Sequence, residues 1–133
     1  ADRTTGAILA SVNLAEPIGT LTGGSFHPTR ETFITLDWTN DLIREFDTVT
    51  GAQLNSFGLG GEWDAFFSDV EVLGADNNLY FVSSSQNTIR ILTPTGSFVE
   101  DIDVGALGIS GMSGIAFDDL TGEAWISSTN GFI

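Results

Sequence analysis

The densest set of side chains able to do chemistry lies in the stretch GGEWDAFFSD (Gly60–Asp69). Glu62, Trp63, Asp64, Phe66 and Phe67 crowd there into one glycine-led segment. An aromatic ring beside a carboxylate suits a sugar or a peptide, because the ring stacks and the carboxylate accepts hydrogen bonds. Trp63, Asp64 and Glu62 are therefore candidate ligand-binding residues. The same stretch has a plainer reading, in which Phe66 and Phe67 are buried and Trp63 closes the core like a lid. Trp38 joins the candidate set because its turn is expected on the same side of the molecule. Trp125, within an apolar strand, is expected in the core.

Other chemistry is sparser. His27 is the sole histidine and stands beside Pro28 in the turn HPTRE, where a surface position is expected. It has no second histidine for a metal pair, and no Gly-x-Ser-x-Gly accompanies it for nucleophilic catalysis. Asp76-Asn77-Asn78 and Asp118-Asp119 offer hard oxygen ligands of the kind calcium takes, so Asp76, Asn78, Asp118 and Asp119 are candidate metal residues. Asn and Asp are also favoured in hairpin turns for their backbone dihedrals alone. No EF-hand loop is present. The catalytic set is empty on this reading, and calcium is the one cofactor considered.

Composition narrows the classes. The chain has 133 residues, 41% of them hydrophobic and 17% charged, which suits one folded domain over residues 1–133 and not a disordered chain. Eighteen acidic residues face four arginines and no lysine, for a formal charge of -14. Such a surface repels phosphate backbones and anionic lipid heads, so nucleic acid and membrane partners are not expected. No apolar run approaches the roughly 20 residues that span a bilayer. There is no cysteine, hence no disulfide or thiolate site. An acidic chain without lysine or cysteine fits a secreted or cell-surface setting. It opens on Ala1 in place of Met, which reads as processing or as an excerpt of something longer.

The elements that must position these residues repeat. Turn glycines Gly6, Gly51 and Gly96 stand 45 residues apart, each followed by an apolar alternation: AILASVNL, AQLNSFGL and SFVEDIDV. Ile43-Arg44 and Ile89-Arg90 precede two of those turns. SDVEVLGADNNLYF (Ser68–Phe81) matches SGIAFDDLTGEAWI (Ser113–Ile126) without a gap, and GGSFHPTRETFITL (Gly23–Leu36) matches with a one-residue slip. WTNDLI (Trp38–Ile43) returns as STNGFI (Ser128–Ile133). The middle copy reads as four strands, DVEV, LYFVS, TIRIL and SFVEDIDV, joined by turns rich in Gly, Asn, Asp and Pro. No window carries helical periodicity. Approximate repeats therefore cover 2–46, 47–92 and 93–133. Four-stranded antiparallel units at this period are the signature of an all-β fold, the β-propeller, with about three blades.

NLYFVSSSQNTIRILTPTGSFV resembles an NHL-type repeat, with its polar turn ending in Asn, its Ile-Arg pair and its Pro-x-Gly turn. SGIAFDDLTGEAWISSTNGFI is similar to the start of the next such repeat. Propellers of the gluconolactonase and senescence-marker-like group share this look. The resemblance implies architecture, and its members range from enzymes to protein and RNA binders. It leads to a non-enzymatic binding or assembly module with a protein or carbohydrate ligand on the face of the inter-blade loops. The alternative is part of a calcium-dependent hydrolase or lactonase, whose ligands would converge on the channel from several blades. The order of strands, four first and then one to three, implies either half of a six-bladed ring or a fragment of a larger propeller. The first would be closed by self-association, as a homodimer, and the second by the remainder of a longer chain. The expected first strand is AILASVNL, completing a blade begun elsewhere.

Overall fold

The computed structural model describes Asp2 and residues 4–15, 19–118 and 120–129. Among these residues are ten strands: β1 (Leu21–His27), β2 (Thr32–Asp37), β3 (Leu42–Asp47), β4 (Gln53–Gly58), β5 (Asp69–Val72), β6 (Leu79–Val82), β7 (Thr88–Leu92), β8 (Phe98–Asp103), β9 (Met112–Asp118) and β10 (Glu123–Ser128). They form antiparallel sheets in the orders β1-β2-β3-β4, β5-β6-β7-β8 and β10-β9. The only helical turn among the described residues is a short 3-10 segment, Gly105–Leu107. No helix among them is long and apolar enough to cross a membrane.

Sheet formation follows from local sequence. Thr-Ile-Arg-Ile-Leu alternates β-branched and polar residues, and DVEV does the same, so each strand offers an apolar face. The turns repeat one hydrogen-bond design. Asp47 Oδ1 accepts the amides of Val49 and Thr50 and the Thr50 hydroxyl, and the Gly51 amide donates to the Asp47 carbonyl. Asp2, with Thr4, Thr5 and Gly6, reproduces the pattern, and Asp118 keeps two of its four contacts, to the Leu120 and Gly122 amides. Gly51 and Gly122 close these turns at positive φ. In the third setting Thr93 replaces Asp and its hydroxyl accepts the Ser97 amide.

The sheets pack face to face. Ile34, Leu36, Ile43, Val70, Val72, Leu79 and Phe81 fill one cluster between the first and second sheets. Val82, Ile89, Val104, Met112 and Ile115 fill the second, between the second and third. Each fully buried Ile, Leu or Phe contributes about 1.5–3 kcal/mol relative to exposure. The first strands β1, β5 and β9 lie side by side at the inner edge. There the Asp69 carboxylate joins all three sheets: Oδ1 accepts the Gly24 and Val70 amides at 3.3 and 2.9 Å, and Oδ2 accepts the Ile115 amide at 3.1 Å.

Three expectations are corrected. The apolar alternation Ala7–Leu14 is not a strand: Ile8 and Leu9 are exposed, and the segment is tied to the first sheet by the Ala15 amide on the Gly51 carbonyl. A strand needs a backbone ladder, whereas Ala10, Val12 and Leu14 line a cavity together with Phe33 of β2 and Phe46 and Asp47 of β3. His27 is not a surface turn residue but the fully buried last residue of β1. Trp125 is not core; its ring is 55% exposed because it projects from the open side of the third sheet. The slip in the first repeat is a bulge in β1 between Thr22 and Gly24. The expected third strand of the last copy, beginning STNGFI, falls mostly outside the described residues.

Candidate functional site

The segment between β4 and β5 is anchored atom by atom. Gly60 and Gly61, both at positive φ, turn the chain out of the first sheet. Arg90 on β7 donates through Nη1 to the carbonyls of Leu59 and Gly60 at 3.0 and 2.6 Å, while its Nε and Nη2 grip the Asp101 carboxylate. Asp41, in the turn between β2 and β3, accepts the Ala65 amide at 3.1 Å. The Phe66 carbonyl accepts the hydroxyls of Ser83 and Ser84. Asp64 Oδ1 accepts the Phe66 amide at 2.9 Å, a local turn that aims the next residues outward.

Three rings meet on this scaffold. Trp38 stands edge-on to Phe66 with centroids 4.8 Å apart, Phe66 is edge-on to Phe67 at 4.6 Å, and Trp38 lies 5.6 Å from Phe67. Phe66 is 36% exposed and Phe67 56%. Phe67 holds a φ of +40°, where a bulky side chain is strained by about 1–3 kcal/mol. The fold holds that strain with the ring in solvent. Glu62 and Asp64 are exposed on the same segment.

The structure thus sets Trp38 against Phe66 and Phe67, ties Asp64 to the Phe66 amide, leaves Glu62 exposed on the same segment and takes Trp63 elsewhere. Trp63 is 8% exposed and packed in the first core cluster, with the Arg90 guanidinium 5.2 Å from its ring centre. It closes the core like a lid and offers no open stacking face. Phe66 and Phe67, assigned to the interior on that same plainer reading, supply the exposed rings instead. Arg90 and Asp41 went unnoticed as the supports of this loop. The repeated Ile-Arg pair was the available signal for Arg90, whereas Asp41, at φ +52°, carried none.

The oxygen-ligand candidates serve their own turns. Asp76 Oδ1 accepts the Asn78 amide, and its Oδ2 accepts the Asn78 side-chain amide and the Tyr80 hydroxyl. That contact and burial push the Tyr80 phenol up to about 12, burial being the larger cause. Asp118 Oδ1 accepts the Leu120 amide. Asp119 lies outside the described residues. Among the described residues no three His, Cys, Asp or Glu side chains are grouped to hold a metal ion.

Charge is managed by pairing. Glu45, fully buried, takes Arg30 through both oxygens at 2.6 and 2.9 Å and the Thr32 hydroxyl at 2.7 Å. Arg44 bonds the buried Asp37 and Gln53, and Asp37 in turn holds the Gly19 and Asn40 amides. Hydrogen bonds from Asn40 and Arg44 hold the Asp37 carboxyl low against its burial, which is the largest single influence. Burial pushes the Asp69 carboxyl up, while its three backbone amides pull it back. Next to the Glu45 pair sits His27, whose Nδ1 meets the Thr29 hydroxyl at 3.3 Å and whose Nε2 is buried without a hydrogen-bond partner. Burial, then the Arg30 charge, lowers its pKa.

No protein-family model matches the sequence, and no curated protein matches it. Among the solved structures that share its shape are two propellers. One is a gluconolactonase from Xanthomonas campestris, with a TM-score of 0.65 and 16% identity over 86% of this chain. The other is the WD40 β-propeller domain of Doa1, with a TM-score of 0.54 and 20% identity over 75% of this chain. This chain spans 36% and 31% of their lengths, about a third. At these identities the likeness shows the fold, a β-propeller, built here as two four-stranded blades and one two-stranded sheet.

Proposed function

We propose that the chain is a non-enzymatic β-propeller module of NHL-like type, acting outside the cell, that binds a sugar or a peptide on the Trp38–Phe66–Phe67 platform. The observation that carries this reading is the exposure of two mutually packed phenylalanines, one strained, on a loop whose backbone is otherwise fixed. Fixed aromatic rings bind at low entropic cost, because little is left to order. Asp64, bonded to the Phe66 amide, and Glu62, exposed on the same segment, would be the acceptors for hydroxyl or amide donors. The recurring Ile-Arg pairs at Arg44 and Arg90 support the NHL-like assignment, since each arginine holds an incoming linker or its neighbouring turn to the blade.

The test is a titration of the chain with a panel of neutral oligosaccharides and unstructured peptides, read by Trp fluorescence and calorimetry. Phe66→Ala and Trp38→Ala are expected to weaken whichever probe binds by at least about tenfold, the loss of one stacking contact. Unchanged affinity in both variants would end the reading.

The alternative, part of a calcium-dependent hydrolase or lactonase, draws on the gluconolactonase-like shape and on Asp69, a carboxylate at the inner edge where three sheets meet. Calorimetric titration with calcium chloride separates the two. Saturable binding lost in Asp69→Asn favours the alternative.

A further inference from the structure

The two segments that carry the rings of the platform, 37–41 and 59–69, contain aspartate and glutamate but no arginine or lysine. Asp41, Glu62 and Asp64 are exposed there. Two of them are fixed to the backbone of the ring-bearing linker, Asp41 by the Ala65 amide and Asp64 by the Phe66 amide. Asp41 also belongs to the turn that holds Trp38. The described arginines are spent on other carboxylates, Arg30 on Glu45, Arg44 on Asp37 and Arg90 on Asp101.

The chain itself shows what rings and a carboxylate hold together. The Arg90 guanidinium stands 5.2 Å from the centre of the Trp63 ring and 5.4 Å from that of Phe98, and it forks onto Asp101. A ring face attracts a cation through its quadrupole, while the planar fork matches the two carboxylate oxygens. The platform sets out the same two kinds of partner on an exposed surface. A neutral ligand covering these carboxylates would leave their lost hydration uncompensated, whereas a cation offsets it. The formal charge of -14 acts in the same sense, drawing cations in and turning anions away.

Taking the platform as the binding face proposed above, we infer that its ligand is a basic peptide. An arginine of the peptide stacks on the exposed rings and is held by the carboxylates of Asp41, Glu62 and Asp64. These acids come from three positions on two segments, which suits a chain with several basic side chains over a lone small cation.

Calorimetric titration with an acetylated, amidated Gly-Ser peptide carrying three arginines tests this, beside the same peptide carrying citrulline. Citrulline keeps the planar side chain and removes its charge. The arginine peptide is expected to bind at least about tenfold more tightly, and to weaken as sodium chloride rises from about 50 to about 500 mM. Glu62→Gln combined with Asp64→Asn is expected to abolish the preference, and the amide at 64 keeps an oxygen for the Phe66 amide. Glu100→Gln combined with Asp103→Asn removes as much charge from exposed positions on β8 and is expected to leave the preference intact. Equal loss in both double variants would overturn the inference, placing the attraction on the acidic surface at large. Equal affinity for the two peptides, lowered by Phe66→Ala, would overturn it and leave the platform reading standing. So would a neutral oligosaccharide that binds where neither peptide does. Arginine-peptide binding indifferent to both Phe66→Ala and Trp38→Ala, or no binding of any probe, would overturn both.

Discussion

The Arg90 guanidinium stands 5.2 Å from the centre of the Trp63 ring while its Nη1 holds the carbonyls of Leu59 and Gly60. One side chain thus ties the second blade to the linker that leaves the first, and covers the tryptophan that seals their core. Lysine keeps the charge but not the planar fork that also grips Asp101. Arg90→Lys is expected to lose about 2 kcal/mol of stability, the scale of a charged hydrogen-bond set. Urea denaturation followed by Trp fluorescence measures it, and an unchanged midpoint would show the clamp to be idle.

His27 makes stability depend on pH. Its folded pKa lies below the ordinary 6.5, so between those values the unfolded chain binds more protons than the folded one. The stability that the neutral ring contributes is complete above about pH 6.5 and is lost as the pH falls through that window. His27 is the sole histidine, so the wild type should lose melting temperature between pH 7.5 and 5.5, and His27→Gln should lose less. Parallel profiles for the two proteins would remove His27 as the cause.

Phe67 separates binding from folding. Asparagine tolerates positive φ better than a bulky aromatic residue does. Phe67→Asn relieves backbone strain while deleting a largely exposed ring, so the melting temperature should hold or rise as affinity for the bound oligosaccharide or peptide drops. A fall of several degrees would mean the ring stabilises the blade junction instead.

The features legible in the chain were the local ones. Asp69–Val72 and Thr88–Leu92 coincide with the DVEV and TIRIL alternations, because a strand's period and its flanking turn residues are written within a few positions. The bulge in β1 appeared as a one-residue slip. Exposure of aromatic residues was not legible. Trp125 is exposed where a core position was expected, and of its two readings Trp63 takes the lid on the core, since burial depends on what another sheet lays over a residue, and that sheet is distant in sequence. His27 looked like a turn residue beside Pro28, yet the second blade covers it, with Thr29 reaching Asn77 there. Ala7–Leu14 has the alternation of a strand but forms none, its alternate residues lining a cavity with Phe33 and Phe46 instead. In the loop, Phe66 and Phe67 were visible as a pair. Their outward aim depends on the Asp64 turn and on Asp41, a contact made across 24 residues.

Arrays of repeats ordinarily melt piecemeal, because each unit touches only its neighbours and an end unit can fray alone. Asp69 changes that expectation here. One carboxylate in the middle blade holds a backbone amide from the blade before and another from the blade after, so departure of either end frees the same side chain that secures the other. The Gly24 and Ile115 amides, far apart in sequence, are therefore expected to exchange together, with the three repeats opening as one unit.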